Sequence, residues 1–158
     1  MVIYMVINYF VTAFLKYKNS YLLQKRNADN LIGGGLWYGV GGHIEKEELF
    51  NPDIAVFREI SEETRLKESD ITSLKLKFIA LNLNDCLFIN YIYFGEITTN
   101  QVVANNEGSL HFINEREVLT KEFHPFIKDC LKHELYNNDD EGIVAAVANG
   151  SETNFFKL

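Results

Sequence analysis

The sequence predicts an α/β (α+β) sandwich with a mixed central sheet covered on both faces. Three observations predict it. Apolar, β-branched and aromatic runs lie on either side of one strongly marked helix near residues 52–64, and a second helix follows late in the chain. The sequence holds 158 residues of 18.2 kDa, with 47% hydrophobic and 23% charged residues. That is a length for one domain, read as residues 1–158, with enough apolar material for a buried core.

The elements follow in order. Residues 3–17 and 21–26 read as strands joined at Lys18-Asn19-Ser20. The apolar stretch Met1–Leu15 is shorter than the roughly 20 residues of a spanning helix. Asn8 and Thr12 interrupt it, so it reads as core rather than as a membrane segment. Residues 27–50 read as one long bent loop, carrying Gly33, Gly34, Gly35, Gly39, Gly41 and Gly42. Asn51 suits a helix N-cap and Pro52 the first helical position. The helix is expected to end near Thr64. Leu74, Leu76 and Phe78 alternate with lysines in a strand with one wet face. Asn84-Asp85 then turns the chain into a more buried strand, Leu87 to Phe94. A short strand over 110–113, a helix near 123–136 and a terminal hairpin turning at Asn149-Gly150 complete the series.

Composition narrows the partners. A formal charge of −7 argues against a nucleic-acid polymer, which calls for a basic face, but leaves room for a small phosphorylated substrate charge-balanced by metal. Cys86 and Cys130 lack metal-ligand spacing and cannot form a disulfide framework, which suits a reducing cytoplasm. No membrane attachment is expected, and the state is a monomer or a homodimer.

The chemistry concentrates in two stretches, Gly41-Gly42-His43 through Glu48 and Arg58-Glu59-Ile60-Ser61-Glu62-Glu63. On a helical wheel, Ile54, Val56, Phe57 and Ile60 occupy an arc roughly 160° wide, and Arg58, Glu59, Glu62 and Glu63 the opposite one. Three carboxylates at i, i+3 and i+4 repel one another and need a positive partner. A solvated acidic face is the plain alternative. The adjacent Gly-Gly pair favours a ligand site, because backbone without a Cβ approaches a ligand closely. Hard oxygen donors of this kind suit Mg²⁺ or Mn²⁺.

These residues resemble the signature of the Nudix hydrolases: Gly, five residues, Glu, seven residues, then Arg-Glu-apolar-x-Glu-Glu-x-Gly-apolar. Gly42 and Glu48 match its start, and Arg58, Glu59, Ile60, Glu62, Glu63 and Leu66 its second half. Two departures stand out. Nine residues separate Glu48 from Arg58, read as a two-residue insertion before Pro52, and Arg65 replaces the late glycine.

The resemblance implies that Glu59, Glu62 and Glu63 hold the metal with the Gly42 carbonyl. It also implies that Arg58 orients a catalytic glutamate, and that Glu48 is structural or lies outside the ligand shell. Glu107, in Asn106–Leu110, is the candidate for a further ligand or for the base that activates water; a solvated loop acid is the alternative. The implied reaction is attack of metal-activated water on a diphosphate.

Leu36 to Gly42 looks like the Trp-x-Gly-x-Gly-Gly form of MutT-like members, without the proline that often precedes Gly-Gly. That implies hydrolysis of a purine nucleoside triphosphate, such as oxidised 8-oxo-dGTP, to monophosphate and pyrophosphate. Substrate contacts are assigned to Arg26 and His43 for phosphate, and to Trp37 and Phe112 for the base, with Tyr38 and Phe123 as further aromatic candidates. Hydrolysis of ADP-ribose or dinucleoside polyphosphates, and a non-catalytic nucleotide-binding module, are the alternatives.

Overall fold

The computed structural model describes residues 1, 4–137 and 141–158. Among the described residues nine strands form one mixed sheet: β1 (Ile7–Tyr17), β2 (Ser20–Arg26), β3 (Trp37–Tyr38), β4 (Val40–His43), β5 (Ile71–Leu83), β6 (Leu87–Ile97), β7 (Gly108–Asn114), β8 (Val144–Asn149) and β9 (Glu152–Lys157). Helix α1 is Pro52–Thr64 and α2 is Pro125–Tyr136. The pairs β1/β6 and β5/β8 are parallel, and the others antiparallel.

The two faces carry separate cores, because successive strand side chains point to opposite sides. Val11, Ala13, Leu15, Leu22, Val40 and Tyr93 pack with Ala55, Val56 and Ile60 of α1. Phe14, Leu23, Phe78, Ile92 and Ala146 pack with Phe126, Ile127, Cys130 and Leu131 of α2.

Local chemistry sets the elements that carry the site. The Asn51 side chain accepts from the Asp53 amide at 3.2 Å, and Pro52 opens α1. Arg65 ends it with φ 64°, donating its amide to the Ser61 carbonyl. The position is left-handed, which explains why glycine is the favoured occupant and why arginine is strained there.

Four sequence expectations change. β1 begins at Ile7, where pairing with Leu87 of β6 starts, and the expected start at Ile3 lies outside the described residues. Residues 27–50 are not one loop. Trp37–Tyr38 pairs with β2, and Val40–His43 pairs with β1. Short glycine-rich strands show no alternating pattern to read, so only the neighbouring strands reveal them. On α1, Ala55 is buried and Ile54 is exposed, so the packed arc is rotated by about one residue from the expected one. The strand at 74–78 extends over Ile71–Leu83, with an irregularity between Leu76 and Phe78 that shifts the register.

Candidate active site

β1 shares one of its edges between two strands. Phe10–Ala13 pairs with β4, whereas Leu15–Tyr17 pairs with β2, and β6 runs along the other edge from Ile7 to Lys16. β2 therefore parts from β1 beyond Leu22, and β4 takes its place on that edge. Glu63 of α1 reaches into this divergence: its Oε2 accepts from the Gly41 amide at 2.8 Å and its Oε1 from Gln24 Nε2 at 3.4 Å. Gly41 lies so close to β1 that an added Cβ would meet the Val11 carbonyl oxygen at 2.0 Å. A Cβ on Gly42 would meet the Glu59 carboxylate at 2.6 Å. The Gly-Gly pair is thus the condition for both carboxylates to lie against backbone.

Arg58 ties the cluster together. Its Nε and Nη2 donate to the two Glu48 carboxylate oxygens at 2.7 and 2.8 Å, a bidentate pair. Nη1 donates to Glu59 at 2.7 Å and to Glu62 at 3.3 Å, and Nη2 also to the His43 carbonyl at 3.0 Å. All five guanidinium N–H groups have acceptors. The longer interval between Glu48 and Arg58 is taken up by Leu49–Asn51, which leaves Phe50 at the surface and this pairing intact.

The carboxylates differ in electrostatic state. Hydrogen bonding from Arg58 holds Glu48 below its usual carboxylate range. Burial pushes Glu63 up to about 8, with the charges of Glu59 and Glu107 acting in the same direction. Glu59 is raised as well, by burial against the opposing pull of Arg58. Glu63 is only 2% exposed, so its charged form needs more positive charge than the protein alone supplies there.

A cleft of about 920 Å³ opens on this cluster, lined among others by Arg26, Tyr38, Gly41, Gly42, His43, Arg58, Glu59, Glu62 and Glu107. The Glu107 carboxylate lies 3.9 Å from Arg26 Nη2, and its carbonyl accepts from the Asn27 amide and Asn30 Nδ2. The turn before β7 is thereby locked to the loop after β2. Among the described residues no three His, Cys, Asp or Glu side chains are gathered closely enough to hold a metal ion. Arg58 engages Glu59 and Glu62 instead. The donors available, carboxylates and the Gly42 carbonyl, are those of a hard cation.

Two of the sequence-based substrate contacts are not brought to the cleft. Trp37 stacks edge-on against His111, with Lys25 and Lys121 over its ring. Phe112 packs edge-on against Tyr17 and joins the core beneath α1. Both side chains are directed by strand alternation, in β3, which the glycine-rich segment concealed, and in β7. Phe123, the further aromatic candidate, is buried in the core under α2, whereas Tyr38 does line the cleft. Phe10, Phe88 and Phe126 line it as well, with Thr12, Gln24, Asn82 and Asn90. Polar residues inside otherwise apolar strands were the available signal for these. Cys130 is buried under α2 with its thiol pushed up to about 12, a packing residue rather than a nucleophile.

A model of the NUDIX domain matches residues 10–134, most of the chain. The chain belongs to the Nudix family of pyrophosphohydrolases. Its fold is similar to that of a MutT protein from Bacillus halodurans, at 17% identity and a TM-score of 0.73, covering 95% of this chain and 97% of that one. A MutT protein from Methanosarcina mazei Go1 aligns at 19% identity and 0.68, over 88% of this chain and 100% of that one. A bifunctional NMN adenylyltransferase/ADP ribose pyrophosphatase from Francisella tularensis aligns at 15% and 0.65, over 86% and 42%.

Proposed function

We propose that this chain, as one Nudix domain over residues 1–158, hydrolyses a purine nucleoside triphosphate, oxidised purines included, to the monophosphate and pyrophosphate. The observation that carries the reading is the Arg58 node: one guanidinium holds Glu48, Glu59 and Glu62 beside Gly42, at the wall of a cleft large enough for a nucleotide.

Glu59, Glu62, Glu63, Glu107 and the Gly42 carbonyl are the groups that would hold Mg²⁺ or Mn²⁺. When bound, such an ion neutralises phosphate oxygens and makes water a stronger nucleophile. The protein's own residues do the rest. Glu48, charged and nearly buried, fixes Arg58, and Arg58 fixes the direction of Glu59 and Glu62. Glu63 is held by Gly41 and Gln24 so that its carboxylate does not swing into solvent. Arg26 and His43, both at the cleft wall, meet the phosphates. Glu107, at a turn bonded to Asn27 and Asn30, stands ready to take a proton from water. Free cysteines and the absence, among the described residues, of any helix long and apolar enough to cross a membrane fit action in the cytoplasm, as monomer or homodimer.

The cleft volume, about 920 Å³, also accommodates a dinucleotide, which makes ADP-ribose and dinucleoside polyphosphates the second reading. Release of pyrophosphate and phosphate from a nucleotide panel, with and without Mg²⁺, separates the readings. Metal-dependent turnover of triphosphates that falls by about 100-fold or more in Glu63→Gln is expected. Preference for a dinucleotide would replace the substrate assignment, and no turnover of any member would leave a nucleotide-binding module.

A further inference from the structure

The floor of the cleft is the face of the sheet that α2 fails to cover. Phe14, Phe78 and Ile92 lie beneath α2, packed against Phe126, Ile127, Cys130 and Leu131. Two residues further along each strand on the same face stand Thr12 of β1, Ala80 of β5 and Asn90 of β6, followed by Phe10, Asn82 and Phe88. All six line the cleft, and Phe126 and Ile127 at the start of α2 form its side. An apolar sheet face changes to amides and a hydroxyl where the helix stops. This floor contributes no charge. The charged lining residues come from α1, from the loop and strand end at Arg26 and Asp29, and from Glu45 and Glu107.

Within the floor, Asn90 is only half provided for. Its Nδ2 donates to Thr12 Oγ1 at 3.0 Å, which fixes the amide plane, while Oδ1 is buried without a hydrogen-bond partner. Buried acceptors normally have partners, so an unpaired one at a cleft floor is a place for a ligand donor. Phe10, the register partner of Asn90 on β1, and Phe88, two residues before Asn90 on β6, stack on each other with ring centroids 6.0 Å apart. A stacked aromatic pair lining the cleft together with a fixed amide suits a flat heterocycle that presents an N–H at its edge.

We propose that Asn90, oriented by Thr12, is the specificity-determining residue that reads the N–H edge of the substrate's purine. This rests on the triphosphate reading above and deepens it. Thr12 acts as a positioning residue, because the amide it holds is left with an acceptor, not a donor, for the base.

The experiment compares kcat/KM for guanosine, adenosine and purine-riboside triphosphates; the last has a base without any N–H donor. Wild type is expected to favour an N–H-bearing base, and Asn90→Leu to shrink that preference by about 3- to 10-fold, the worth of one neutral hydrogen bond. Thr12→Val, which frees the amide to turn, is expected to shrink it less and mainly through KM. Binding of the three corresponding monophosphates, followed by the thermal midpoint with Mg²⁺, gives the same comparison without turnover. An Asn90-dependent order of binding in a protein that hydrolyses nothing would sustain this inference while removing the hydrolase reading. An unchanged preference in folded Asn90→Leu and Thr12→Val, by both measurements, would overturn it.

Discussion

The two faces of the sheet are covered by helices of nearly equal length, 13 residues in α1 and 12 in α2, yet only one face is sealed. Under α1 the side chains of β1, β2 and β4 that pack on the helix are apolar and buried except Gln24, which bonds Glu63, and most of the polar work is done by the helix through Arg58, Glu59, Glu62 and Glu63. α2 itself gives the cleft only the apolar Phe126 and Ile127, and the sheet does the polar work beyond its end through Thr12, Asn82 and Asn90. The cleft receives charge from one side of the sheet and neutral hydrogen-bonding groups from the other. The parting of β2 from β1, with β4 pairing β1 in its place, is what lets a helix on one face contribute to a cleft on the other.

Substitutions on either side of the α2 boundary test this contrast most strongly. Ile92→Ala, in the covered half, is expected to cost about 3 kcal/mol through a cavity. Phe88→Ala, two positions beyond Asn90 toward the open end, is only partly buried and is expected to cost far less stability while weakening nucleotide binding. Chemical denaturation of both variants is the measurement; equal losses would mean the face is one continuous core.

The α1 side is sharpened by pH. Glu63 in the folded protein titrates at about 8, above its ordinary value of 4.5. The unfolded chain therefore gives up this proton first, and the native state binds more protons between those values. Stability without metal is expected to fall as pH rises from about 4.5 to about 8, and to level off above. Glu48, whose value is lowered, loses its contribution only below this window; within it that contribution is constant and does not oppose the trend. Thermal melts in chelator, with Glu63→Gln as the reference, check the sign. Added Mg²⁺ should restore more stability at pH 8 than at pH 5, and a wild-type curve parallel to that of Glu63→Gln would contradict it.

The smallest effect is at the end of α1. Arg65→Gly relieves a left-handed residue and is expected to stabilise by about 1 kcal/mol, leaving the Arg58 contacts in place. A destabilised variant would show that the arginine side chain makes up for its backbone strain.

The amino-acid sequence by itself determined what depends on neighbours within a few residues. Asn51-Pro52 starts α1, Lys18-Asn19 turns β1 into β2, Asn149 and Gly150 lie at the β8–β9 turn, and helical spacing places Glu59 and Glu62 beside Arg58. These follow from capping, turn conformation and helical period, which are local. Only the tertiary structure decided that residues 37–43 leave β2 to join β1, and that Glu63 is buried although its wheel position matches the exposed arc. It also turned Trp37 and Phe112 away from the cleft and placed Thr12 beside Asn90, 78 residues distant in sequence. Such placements depend on which strands pair and where a helix ends over them. Their energies come from contacts between segments far apart in the chain, and no local pattern encodes those.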